Sequence, residues 1–411
     1  MRRRELQFIC VCILFLIKQG SAQTGKYIPE LDGVDKAVLK FMQQWGIPGA
    51  SVAIAKDGKL IYARGFGFAD VKSAEVVQPY HRFRIASISK PLTATAIFKL
   101  IEQHKISLND KVFGPHGILN DSAYSKIADE RCLDITIEQL LSHTSGWLKH
   151  GDDIDPMINS GLVSDYFHSA DLASQQQIIQ YMLAQKLDFT PGEKQEYLNF
   201  GYCVLGRVIE KVSGQSYEQY VRKNVLDVIG ADSYALAGNL KTDKKKNEVT
   251  YYDTPDATLV PSYLSVSNVE APYGEFNITA MDSHGGWIAS ATDMVRFALA
   301  VDGNSSQPDI LTQASIEDMT TPPFTGAGFA HGWSSNNGSF RHAGLLPGSS
   351  GLLDVEKSGL TIAVLFNSYS FSNLYFKSMI NTVVKTIYSV PAFPAEDLFG
   401  KSETTALYSN P

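Results

Sequence analysis

The sequence predicts a mixed α/β (α+β) fold: an antiparallel sheet of five or more strands built from N- and C-terminal segments, flanked by helices, with a mainly helical subdomain inserted between them. Three observations predict it. An Asp-Gly turn joins two strand-like runs near the start, strongly apolar strands close the chain, and the long middle follows helical periodicity.

The first segment reads as a targeting element. Arg2, Arg3 and Arg4 precede an apolar run from Phe8 to Ile17, and Gly20-Ser21-Ala22 follows, the layout of a secretory signal peptide over residues 1–22. That run is too short to span a bilayer, and no later segment is long and apolar enough to do so. The expected destination is the secretory-pathway lumen or the extracellular space. Residues 23–393 then read as one domain of two interlocked subdomains, a sheet part at about 28–85 plus 285–393 and a helical part at about 86–284, followed by a C-terminal tail at 394–411.

Within the domain, Leu31–Trp45 has helical spacing. Ala50–Ala55 alternates as a strand, Lys56-Asp57-Gly58-Lys59 supplies the turn, and Leu60–Arg64 returns. Helices are predicted at Ile88–Ile101 (amphipathic), Ile135–Ser142, Ser174–Ala184, Leu198–Val212, Tyr217–Val228 and Thr292–Ala300. Ser339–Ala343, Gly351–Val355 and Leu360–Phe366 are the closing strands, with a turn at Glu356–Gly359.

Composition narrows the function classes. The full chain has 36 Lys and Arg against 43 Asp and Glu; without residues 1–22 the counts are 32 and 42, a net charge of −10. That balance disfavours nucleic acid or an anionic membrane as partner, and Lys244-Lys245-Lys246 reads as a solvated loop. Cys10 and Cys12 leave with the signal, so Cys132 and Cys203 remain, either as one disulfide or as buried thiols, and two cysteines do not make a metal site. Sequons at Asn120, Asn277, Asn304 and Asn337 are candidate glycosylation sites and fit a secretory route.

Ser87-Ile88-Ser89-Lys90 is the sole Ser-x-x-Lys, placed where an irregular stretch enters a helix. Residues three apart share a helix face, so the Lys90 amine can reach the Ser87 hydroxyl, and the amides of a helix start favour an oxyanion. A serine needs such help to be nucleophilic. Chance alone supplies about one such motif in a chain of this length, so further parts are needed. Tyr197-Leu198-Asn199 opens a helix after the Pro191-Gly192 turn, and a tyrosine there can shuttle the Ser87 proton when a lysine lies nearby. Tyr408-Ser409-Asn410 repeats the pattern in the tail. His342-Ala343-Gly344 ends a strand before a Gly-rich stretch, where the Leu345 amide could join that of Ser87 as an oxyanion hole. His284-Gly285-Gly286 competes, but it precedes a helix. His143 is tempting as a base, yet a structural role at a helix end is the safer assignment.

Ser87-x-x-Lys90, Tyr197-x-Asn199 and a late His342-x-Gly344, in this order, resemble the three active-site elements of the serine β-lactamase and penicillin-binding-protein-type hydrolases: class C β-lactamases, DD-peptidases and related serine esterases. Ser51–Asp70, Ile135–Gly146, Pro191–Gly206 and Gly285–Met294 look similar as well, so the likeness covers most of residues 30–390. The resemblance implies a β-lactamase/transpeptidase-like fold, an acyl-enzyme on Ser87, and a proton relay through Lys90 and Tyr197. It also implies that Asn199 holds Lys90 and substrate, that the Ser87 and Leu345 amides bind the oxyanion, and that His342 and Gly344 form the opposite wall. No metal or organic cofactor enters this chemistry, and the implied partner is a small-molecule or peptide acyl substrate. His342 stands where β-lactamases have a lysine, which removes a fixed cation and favours an esterase or peptidase over antibiotic hydrolysis. A non-catalytic binding protein on the same scaffold, or a true β-lactamase or DD-carboxypeptidase, are the alternatives. Leu148–Ser174 and Ala231–Met281 are expected to wall the cleft.

Overall fold

The computed structural model describes residues 22–148, 160–254, 256–264, 267–324, 326 and 328–399, so all but the last residue of the expected signal segment, and the Tyr408 motif, lie outside the described residues. Its main sheet runs in the order Gln23–Thr24, Lys59–Asp70, Gly49–Lys56, Leu360–Phe366, Ser349–Glu356, Ser339–Leu346, Ser334–Asn336, with Glu75–Val76 pairing off Lys59–Asp70. Every pairing is antiparallel, and the two chain halves meet where Ile54 faces Ile362 and Val52 faces Val364.

Period-two alternation gives the sheet two buried faces. Val52, Ile54, Ile362, Val364 and Phe366 pack under the helix Asp32–Trp45 and the C-terminal helical segment that begins at Tyr375. Val34, Val38, Phe41 and Met42 supply the matching helix stripe, and Gly46 ends that helix in the left-handed region at φ 64°. Asp35 is buried on the same helix, where it accepts from the Tyr62 hydroxyl at 2.6 Å and pairs with Arg64, fastening helix to strand. The other face presents small side chains, Ala53, Ala55 and Ala363, which let the helix Ala291–Leu299 approach closely.

The helix Ser89–Glu102 departs from its expected amphipathic character: Ser89 to Phe98 are all buried. It runs between sheet and helical subdomain, so only its last turn reaches water, and its polar residues find internal acceptors, Thr93 donating to Ser283 O at 2.5 Å and Thr95 to Pro91 O at 2.9 Å. Tyr217–Val221 continues into a wider turn over Arg222–Leu226 rather than a regular helix to Val228.

The structure bears on three further expectations. The first residues of the expected C-terminal tail, 394–399, are docked on the domain: the Leu398 amide donates to Leu60 O at 2.8 Å and Leu398 is buried. Of the two readings for Cys132 and Cys203, the structure has the buried thiols: both are free and buried. Asn277 is a poor acceptor site, because its side chain is 4% exposed and its amide donates to Ala173 O at 3.1 Å; Asn120 and Asn337 are exposed.

Candidate active site

Ser87 sits in the tight turn Ala86–Ile88 that leads into the helix Ser89–Glu102. Ala86 carries a positive φ of 49° without being glycine, a conformation costing about 1–3 kcal/mol that the surroundings must hold in place. They do so through Ile85, whose amide donates to Trp287 O at 3.0 Å and whose carbonyl accepts from the Ile88 amide at 3.1 Å. The strand Ser339–Leu346 presses on the same peptide. A Cβ on Gly344 would lie 2.2 Å from Ile85 O, so only glycine allows the strand this close to Ser87.

Behind Ser87, the fully buried Lys90 donates from Nζ to Ser87 Oγ at 3.1 Å, Asn199 Oδ1 at 2.6 Å and His284 O at 3.0 Å. The same Nζ lies over the Tyr197 ring, 4.8 Å from its centroid. Asn199 begins the helix Asn199–Ser213, so the turn after Pro191 delivers both Tyr197 and Asn199 to the lysine. Ser87, Lys90, Tyr197 and Asn199, separated by up to 112 positions, thus form one cluster.

His342, Ala343, Gly344 and Leu345 line a cleft of about 400 Å³ together with Ser87 and Tyr197. His342 Nδ1 is 2.7 Å from Ala343 O, which can only accept, so Nδ1 carries the proton. Burial first, and Lys90 second, lower the His342 pKa to about 3, so its ring is neutral at physiological pH. His284 reaches the cluster through its carbonyl alone; its ring is fully buried and does not line the cleft. His143 is buried with φ 59°, its ring 4.5 Å from that of Tyr197 and its Nδ1 3.2 Å from Leu198 O. It supports the tyrosine from behind, and burial holds its pKa well below the ordinary value.

Residues 149–159 of the expected wall Leu148–Ser174, and 255, 265 and 266 of Ala231–Met281, lie outside the described residues. None of the described residues of Leu148–Ser174 or Ala231–Met281 lines the cleft; Phe329, Ser334, Arg341, Leu352, Phe376 and Ile380 do. Ala231–Met281 instead contributes Tyr251, whose ring stacks on the buried Arg84 guanidinium at 4.4 Å, and Pro272, whose carbonyl accepts from Arg84 at 2.6 Å. Among the described residues, no group of His, Cys, Asp or Glu is placed to hold a metal ion.

Gln195 is a residue that motif reasoning passes over. Its Nε2 donates to Ser142 O at 2.8 Å and Phe329 O at 2.9 Å, while its Oε1 accepts from the Gly328 and Phe329 amides at 2.9 and 3.0 Å. One side chain thereby ties the Phe329 wall to the Tyr197 turn. Gln195→Ala is expected to lower kcat/KM about 10- to 100-fold by letting that wall drift; steady-state kinetics on any ester the protein turns over would check it, and an unchanged kcat/KM would reject the clamp.

A protein-family model described as Beta-lactamase matches residues 34–374. The chain is 28% identical to Protein flp of Staphylococcus aureus (strain N315) over 345 residues, 81% of this chain and 62% of that protein, so it spans less than two thirds of that relative's length. It is 27% identical over 378 residues to the putative penicillin-binding protein PbpX of Bacillus subtilis (strain 168), covering 91% of this chain and 82% of the relative. The crystal structure of D-amino acid amidase from Ochrobactrum anthropi SV3, complexed with L-phenylalanine amide, superposes with a TM-score of 0.68 at 20% identity, over 89% of this chain and all of that one, a likeness of fold. The sheet closed by both chain ends, the Ser87 cluster at its edge and a match over residues 34–374 agree: the chain belongs to the Beta-lactamase family.

Proposed function

We propose that this protein is a secretory-pathway serine hydrolase that forms an acyl-enzyme on Ser87 and cleaves an ester or amide bond. The observation that carries this reading is the 3.1 Å contact from Lys90 Nζ to Ser87 Oγ at the mouth of an open cleft. Ser87 Oγ attacks the substrate carbonyl, and its proton passes through Lys90 and Tyr197 to the leaving oxygen or nitrogen as the scissile bond breaks. Water then adds to the acyl carbon, gives its proton back through the same groups to Ser87 Oγ, and the acid departs. The amides of Ser87 and Leu345 are the candidate oxyanion donors, and a neutral His342 with Gly344 forms the facing wall. Asn199 fixes Lys90. A D-amino acid amidase on the same fold supports a carboxylic acid derivative as the substrate class. The layout of Arg2 to Ala22 supports the secretory route.

A fluorophosphonate probe tests the nucleophile directly. Wild-type protein is expected to be labelled covalently and Ser87→Ala to remain unlabelled; equal labelling of both, or none of either with no ester turnover, would leave a binding protein instead.

A further inference from the structure

We infer that the cleft beside Ser87 receives the leaving half of the substrate, and that this half is an uncharged, apolar alcohol or amine. The inference rests on the hydrolase reading above. A general acid must come within hydrogen-bond reach of the atom it protonates. Tyr197, the acid in that reading, lines the cleft, so the group borne by the leaving atom extends into the space that Tyr197 borders. Phe329, Ala343, Leu352, Phe376 and Ile380 wall that space. It opens at the end of the strand Ser339–Leu346 where pairing with Ser334–Asn336 has stopped at Arg341.

Among the described residues, two there could hold a substrate carboxylate, and both are otherwise committed. Arg341 Nε lies 3.3 Å from Asp354 Oδ1, and its Nη2 lies 3.4 Å from Glu356 Oε1. His342 is 5% exposed, its Nδ1–H is spent on Ala343 O, and burial beside Lys90 keeps it neutral. Among the described residues, a carboxylate on the leaving group would therefore enter a largely apolar space whose lining cation, Arg341, already faces two carboxylates, which is costly. An alkyl or aryl group gains from the same walls, and about 400 Å³ is within the range of small-molecule sites.

The test uses acetate esters of n-butanol, n-hexanol and n-octanol, whose acyl group is constant and whose leaving-group basicity hardly changes. Acetate release then reads the cleft through kcat/KM, which reports acylation. We expect kcat/KM to rise about fourfold per added methylene. Hexyl acetate should exceed 6-acetoxyhexanoate, its carboxylate-bearing counterpart, by about tenfold or more. Ile380→Lys places a cation in the wall, and Ser334→Lys does so at its rim with less risk to folding. Each is expected to raise the ratio of 6-acetoxyhexanoate to hexyl acetate about tenfold. Turnover that depends on Ser87 but is flat with alcohol length, favours 6-acetoxyhexanoate, or keeps its ratio in both variants overturns the inference and leaves the hydrolase standing. Turnover unaffected by Ser87→Ala, or absent with every ester, overturns the hydrolase reading itself.

Discussion

Lys90→Met is expected to lower kcat/KM about 10²- to 10⁴-fold, the usual range for a positioned general base, while the protein stays folded. Methionine keeps the length and apolar stem of the lysine and deletes the group that donates to Ser87 Oγ, Asn199 Oδ1 and His284 O. Two stability effects then oppose each other. In its charged form the fully buried amine carries a desolvation penalty of several kcal/mol, which the variant relieves. Asn199 Oδ1 and His284 O lose a donor, at about 1–3 kcal/mol each. These nearly offset, so Tm should move little while the rate collapses. A spectroscopic readout separates this from a structural role: Lys90 is the second cause, after burial, of the low His342 pKa of about 3. In the variant the imidazole resonances of His342 should titrate at higher pH. Equal losses of Tm and rate, with His342 unmoved, would make Lys90 a packing residue.

The sequence-based reading works best where local chemistry decides local structure. Asp57 and Gly58 both take positive φ, 49° and 78°, as the predicted hairpin requires, and the apolar run Leu360–Phe366 has no use other than a strand buried on both faces. Ser87, Lys90, Tyr197 and Asn199 are legible because each lies at a turn-to-helix boundary with a chemical reason to be there. The cleft walls are not legible. Phe329, Phe376 and Ile380 are ordinary apolar residues, and only the packing of distant segments around a sheet edge brings them to Ser87. The same holds for Gln195, a polar residue without periodicity or motif whose role exists only once the Phe329 segment lies against it. The helical segment from Tyr375 to Tyr388 escapes because a wider turn at Ile380–Val384 breaks its 3.6-residue period. The burial of Ser89–Glu102 escapes because its polar residues imitate a solvent face until their internal acceptors are seen.

His284→Leu is expected to stabilise the protein, and to do so more at acidic pH. The imidazole is fully buried, and neither ring nitrogen has a hydrogen-bond partner among the described residues. Its service to Lys90 goes through the carbonyl, which the substitution keeps. Burial, then the charges of Lys90 and Arg207, push its pKa well below the ordinary value. In the unfolded chain the same group binds a proton near pH 6.5. The unfolded state therefore gains protons that the native state refuses, and native stability drains away as pH falls through and below 6.5, at about 1.4 kcal/mol per pH unit. Leucine removes the titration from both states. Wild-type and variant should then differ modestly at pH 7, and the difference should widen by ~2 kcal/mol on going to pH 5. The raised pKa values of Asp309 and Asp354, both about 6, act in the opposite sense, adding stability as pH falls through 6, but they are common to both proteins and cancel in the difference. Urea unfolding of the pair at the two pH values reads this directly. A gap that stays constant with pH would mean that His284 protonates as readily in the fold as outside it, and that the interior behind Ser87 is not the proton-excluding environment that a neutral His342 requires.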